Sequence, residues 1–190
     1  MPPTIRFTRQ SVLDAAYQLV RREGLNALNA RAVARELGGS TQPIFRLFSG
    51  MDELYHEVIK LADENIRSRM HHNASESNNA YISVCMTYLL FARDEPELFK
   101  LLFMRDRVSD GSCGREYKHE WGFPVIQSSF GVDRETAEKL YERSFFHTHG
   151  LAVCIATKYM PCMDEAHMEA LVTQSLKAAC TQLGIQSDSL

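Results

Sequence analysis

Two adjacent glycines, Gly38-Gly39, constrain the fold of this chain more than any other feature. The apolar spacing is helical on both sides of them, and a Gly-Gly pair favours a tight turn over a continuing helix. Before the turn, Asn29 is placed to cap a short helix whose inner side is Val33, Ala34 and Leu37. After it, Ser40 or Thr41 starts a third helix. Pro43 is tolerated there because the first helical turn has no internal N–H partners. Ile44, Leu47 and Phe48 face inward from it. Helices this short do not persist alone, so they need flanking elements, and the sequence supplies two. Upstream, Val12, Leu13, Ala16, Leu19 and Val20 form a one-sided helical stripe that stops at Gly24. Downstream, Ser49-Gly50 precedes a long helix from about Met51 to His72. Asp52 and Glu53 sit at its positive end, and Leu54, Val58, Ala62 and Ile66 lie along its apolar side.

The remainder also reads as helical. Asn73 to Asn79 is a polar connector; Tyr81, Val84, Cys85, Tyr88, Leu89 and Ala92 mark the next helix; Pro96 opens a short one with Leu98, Leu101 and Leu102. Residues 105–116, with Gly111 and Gly114, read as a loop, and a helix near 116–130 must be kinked or restarted by Pro124. Helices over Asp133–Tyr159 and Asp164–Leu183, separated by Pro161 and finished by Gly184, close the chain. No stretch shows sustained strand alternation. The expected fold is all-α with about nine helices: a three-helix domain over 1–50, joined through the long fourth helix to a helical domain over 51–190.

Composition narrows the class. Hydrophobic residues at 45% and charged residues at 24% suit a soluble globular chain. No window of about 18 apolar residues predicts a membrane span, and the N-terminus has no apolar run behind its basic residues, so no secretory leader is expected. The five cysteines are odd in number and show no CxxC spacing, which argues against a disulfide frame or a zinc knuckle. Reduced thiols in a cytoplasmic protein are the simplest reading. Residues 1–60 carry eight Lys/Arg against six Asp/Glu, and the rest thirteen against eighteen. A slightly basic head on an acidic body is compatible with local contact to DNA.

Short helix, glycine turn and second short helix, packed between two longer ones, make a helix-turn-helix, whose second helix offers its N-terminal side chains to a major groove. Thr41, Gln42 and Arg46 lie on the side of that helix left outside the packing. Gln can bond an adenine edge at two points and Arg a guanine edge. Arg31 is placed to reach a base or a phosphate, and helix N-termini offer unpaired N–H groups to phosphate. Arg9 is a candidate phosphate contact; Arg21, Arg22 and Arg35 read as solvated charges.

At these residues a resemblance becomes specific. The stretches Val12–Gly24, Arg31–Gly38, Phe45–Phe48 and Met51–Leu54 resemble, in order and spacing, the DNA-binding domain of the TetR/AcrR family over roughly residues 8–55. The resemblance implies a homodimer on a near-palindromic operator, usually a repressor released by a ligand. It places Arg31, Thr41, Gln42, Pro43, Phe45 and Arg46 at DNA, with Asn29 and the Met51 helix end near phosphate. Three positions depart from the family pattern. Phe45 stands where Tyr is usual, Met51 where Lys is usual, and Gly39 where an apolar residue is usual. The first removes a hydroxyl and the second a phosphate salt bridge per half-site. The competing role for Pro43 and Phe45 is simply to shape and pack the short helix.

In the body, the penultimate helix loses charge from Ser144 to Ile155. A segment uncharged on every face is expected to be covered on every face. Phe146, Gly150, Val153 and Cys154, with Met168, Leu171, Val172, Ser175, Leu176 and Ala179 of the last helix, are therefore expected at an isologous four-helix interface. A pocket for a small, mostly apolar effector is expected between the fourth and eighth helices, with Tyr88, Phe91, Phe103, Met104, Trp121, Phe123 and His147 as its candidates. Plain core packing is the competing role for each. Binding there would bias the fourth helix and the separation of the two DNA heads.

No cofactor or metal is called for. His147 and His149 point about 200° apart on a helix and cannot share an ion, and the adjacent His71 and His72 fail likewise. An enzyme would need a nucleophile–base pair, a metal set or a phosphate loop, and no such motif is present. Cys154 near the histidines is imaginable as a pair, but burial would raise its thiol pKa and leave it inert. The other rival is a helical interaction module that has kept the head shape without operator binding.

Overall fold

The computed structural model describes residues 7–107, 122–160 and 163–186. Among them are nine α-helices and no strand. Trp121, Cys113, Cys162, Pro161 and most of the expected 105–116 loop lie outside the described residues. The chain divides into two units: Met1–Asn65 with Glu95–Arg105, and Ile66–Asp94 with Asp106–Leu190.

The first unit begins with α1 (Arg9–Glu23), started by a reciprocal cap in which Thr8 and Ser11 bond each other's backbone N–H. Val12, Ala16, Leu19 and Val20 are buried along it, while Leu13 is only half-buried. The helix stops at Gly24, whose φ of 81° suits glycine. A Cβ there would also come 2.6 Å from Glu97 Oε2. After a 3-10 turn over Leu25–Ala27 comes α2 (Ala30–Glu36), capped by Asn29 as expected: its side chain accepts from Ala32 N at 3.0 Å. Gly38 makes the turn with φ 65°. The third helix, α3 (Gln42–Leu47), carries Pro43 in its first turn, and Thr41 precedes it without a side-chain cap.

The fourth helix, α4 (Met51–Ser75), starts in this unit and ends in the second. It runs three residues beyond the expected His72, into the polar connector. The sixth, α6 (Pro96–Phe103), packs on α1. Arg21 of α1 grips Glu95, just before α6, through Nε and a terminal nitrogen, both at 2.6 Å. Arg22 links α1 to Glu36 of α2 at 2.8 Å.

In the second unit α5 (Ala80–Asp94) is central and nearly all apolar, with α7 (Gly122–Phe130), α8 (Arg134–Ala156) and α9 (Glu165–Leu183) packed around it. Residues 116–121 of the expected helix around Pro124 lie outside the described residues. Pro124 is the third residue of α7, where no intrahelical N–H is needed. Asp133 and Asp164 cap α8 and α9 by accepting from Thr136 N and His167 N, each at 2.8 Å. The eighth helix stops at Ala156, three residues short of the expected Tyr159; Lys158 there has φ 60°. Gly184 closes α9 in the left-handed conformation. Inside this core Tyr81 and Ser144 share a buried 2.7 Å hydrogen bond.

Candidate functional site

The orientation of α3 follows from two side chains. Ile44 is fully buried and Phe48, just after the helix, nearly so. With those positions fixed inward, the turn of about 100° per residue leaves Gln42, Phe45 and Arg46 outside. Phe45 is 55% exposed, a large apolar surface for a soluble head. Thr41 and Pro43 are half-exposed at the N-terminal end, and Arg31 is exposed near the start of α2. Among the described residues, no ion pair or hydrogen bond holds the side chain of Gln42, Arg31 or Arg46. Amide, guanidinium and ring are thus presented together with their donors unengaged.

The supporting residues are engaged. Asn29 uses both ends of its amide, accepting from Ala32 N and donating to Ala27 O at 3.1 Å. Met51, first residue of α4, offers a half-buried thioether and no charge. Arg9, expected to be open to phosphate, is occupied. Its guanidinium donates to Leu47 O at 2.8 Å, pairs with Glu53 at 2.7 Å and Glu57 at 3.2 Å, and lies 4.2 Å from the centre of the Phe48 ring. It braces α1 against the end of α3 and the start of α4, so a phosphate would compete with two carboxylates. Glu53 also accepts from Ser49 N at 2.6 Å. That bond, with the Ser49 side chain and Arg9, holds its carboxyl down at about 2. Sequence reasoning missed this brace, since nothing in the spacing of residues 9 and 53 announces it.

The residues expected around an effector fall in both units. Phe103 and Met104 belong to the first unit, where Phe103 lies 5.0 Å from Phe99 between ring centres and Met104 is exposed. Tyr88, Phe91 and Phe123 are buried in the second. His147 points outward, contrary to expectation; the inward histidine is His149, whose Nδ1 lies 2.8 Å from Tyr88 Oη. Burial, with the Arg107 charge, holds His149 below the usual histidine range, and burial pushes the Tyr88 hydroxyl up. Tyr141, Phe145 and His149 form a ladder on α8, with Tyr141–Phe145 at 5.4 Å and 17° and Phe145–His149 at 5.3 Å and 15°. Their i, i+4, i+8 spacing was visible in the sequence and would have found them.

The expected interface set divides as well. Met168, Val172, Leu176 and Ala179 are buried in the chain's own core. Phe146 is 53% exposed and Gly150 is exposed, while Val153, Cys154, Leu171 and Ser175 are half-buried. Part of the uncharged segment of α8, at Phe146, His147 and Gly150, is thus exposed. Cys154 is only partly buried, whereas burial pushes the Cys85 thiol up to about 12 and also raises that of Cys180.

Among the described residues no three His, Cys, Asp or Glu side chains gather as a metal site would, and no helix is long and apolar enough to cross a membrane.

Known proteins share these features. Residues 12–58 match the family model described as bacterial regulatory proteins, tetR family. An uncharacterized HTH-type transcriptional regulator of Haemophilus influenzae is 32% identical over 123 residues, which cover 59% of this chain and 58% of that relative. The chain thus aligns with somewhat over half of its relative's length. The fold resembles the crystal structure of a transcriptional regulator from Rhodococcus sp. Rha1, with TM-score 0.63 and 13% identity, over 95% of this chain and 99% of that one. It also resembles a protein named as a TetR-family transcriptional regulator from Mesorhizobium loti, with TM-score 0.60 and 16% identity, over 92% and 95%. Motif, head geometry and family model agree over residues 12–58, where the chain is similar to the tetR family of bacterial regulatory proteins.

Proposed function

We propose that this protein is a ligand-responsive transcription regulator and not an enzyme. In this reading it works in the cytoplasm as a homodimer on a near-palindromic operator, represses, and releases DNA when a small effector binds the helical body. One observation carries the reading: Ile44 and Phe48 lock α3 so that Gln42, Phe45 and Arg46 stand clear of the protein. In a major groove Gln42 suits adenine, Arg46 suits guanine, and the Phe45 ring suits a thymine methyl. The N–H groups at the start of α4 suit phosphate. A second copy is supported by the exposure of Phe146 and Gly150 on α8, an apolar surface that a partner would cover. Two heads related by a two-fold axis meet half-sites about 34–36 Å apart or a multiple of that.

A gel-shift with the DNA upstream of its own coding sequence tests the reading. The wild type is expected to shift it, with Gln42→Ala and Arg46→Ala each weakening binding by roughly 1–3 kcal/mol. A wild type that leaves that DNA and a pool of random duplexes unshifted would make the head an interaction module instead.

A further inference from the structure

We propose that the groove between α7 and α8 is a binding site for a small aromatic cation. The inference rests on the ligand-responsive reading above and narrows it, because the effector then carries a positive charge as well as apolar surface. The groove encloses about 230 Å³ and lies wholly in the second unit. Its floor is made of rings: Tyr141 and Phe145 are stacked, and Phe123 meets Tyr141 edge-on at 5.3 Å and 82°. Its rim carries three carboxylates, Glu135, Glu138 and Glu142, and one ammonium, Lys139. Ring faces carry negative electrostatic potential, so rings and carboxylates select the same sign of charge.

The protein itself demonstrates this preference. The guanidinium of Arg134 lies 4.3 Å from the centre of the Phe123 ring and bonds Glu138 at 3.0 Å. A delocalised cation is thus already seated between an aromatic face and a carboxylate at the groove's edge. Lys139 is engaged with Glu135 at 2.6 Å, and among the described residues no ion pair holds Glu142. Glu142 is therefore the rim charge most available to an incoming cation. A neutral molecule of the same shape would gain the stacking and lose the charge. A bare metal ion would use the carboxylates alone and leave the ring floor without a role. An organic cation with an aromatic body uses both halves of the lining, and to do so it displaces Arg134 from Phe123.

The test uses full-length protein and two probes of nearly one shape, phenyltrimethylammonium and its neutral counterpart tert-butylbenzene, titrated by saturation-transfer NMR. The cation is expected to bind at least about fivefold more tightly than the neutral probe. The double variant Glu138→Gln/Glu142→Gln is expected to weaken the cation about fivefold and leave the neutral probe unchanged. Arg134→Ala, which frees the Phe123 face, is expected to tighten the cation several-fold. Circular dichroism checks that each variant keeps its helices. The proposal is overturned if neither wild type nor Arg134→Ala binds the cation, if both probes bind equally, or if the double variant binds the cation as the wild type does. Binding is read without DNA, so the two readings fail separately. An operator shift without cation binding sinks this inference alone; cation binding without an operator shift sinks only the regulator reading.

Discussion

Arg21 and Glu95, 74 residues apart, are joined by two hydrogen bonds of 2.6 Å, with the glutamate only 5% exposed. The pair fastens the start of α6 to α1 within the first unit. Removing the arginine strands a buried carboxylate, which costs more than replacing the carboxylate by an amide that still accepts a bond. Arg21 itself is about half exposed, so solvent softens the penalty. Arg21→Ala is expected to lower stability by roughly 1–3 kcal/mol and Glu95→Gln by less. Urea unfolding of the two variants decides this, and equal losses would deny the asymmetry.

Acid should loosen the head through Glu53. Its carboxyl is held at about 2, below the usual carboxylate range, by Ser49 and Arg9. A depressed folded pKa contributes stability that is complete above the unfolded value, about 4.5, and is lost as pH falls toward 2. Melting temperature followed from pH 6 to pH 2 should fall less steeply in Glu53→Gln than in the wild type. Parallel curves would show that the brace contributes nothing.

The two sides of α3 should separate stability from recognition. Ile44 is fully buried, so Ile44→Ala is expected to cost roughly 2–5 kcal/mol of stability. Arg46 is exposed, so Arg46→Ala should melt as the wild type does while losing operator affinity. A melting temperature that falls in Arg46→Ala would mean the side chain supports the fold.

Met51 leaves the start of α4 without a cation. Met51→Lys is therefore expected to raise affinity at low salt and to steepen the logarithmic salt dependence by about one unit per half-site. Binding measured across a salt series gives that slope directly, and an unchanged slope would place Met51 away from phosphate.

Phe146 is 53% exposed on α8. Phe146→Glu should therefore leave the protomer folded and drive a dimer to monomer by burying a charge at the interface. Sedimentation velocity read beside circular dichroism would show it; a variant that stays dimeric rules this surface out.

Local patterns in the chain were enough to establish the helices, the turn at Gly38, the Asn29 cap and the outward edge of α3. Each depends on neighbours within a few residues: helical spacing, a positive φ, an unpaired N–H beside a short side chain. Tertiary packing alone decided what lay beyond that range. It turned His149 inward and His147 outward, committed Met168, Val172, Leu176 and Ala179 to the protomer core, occupied Arg9 with Glu53, and set Arg21 on Glu95. The physical reason is that an amphipathic helix states which of its faces is apolar but not which surface will cover it. Likewise a long charged side chain can reach any opposite charge that folding brings within a few ångströms.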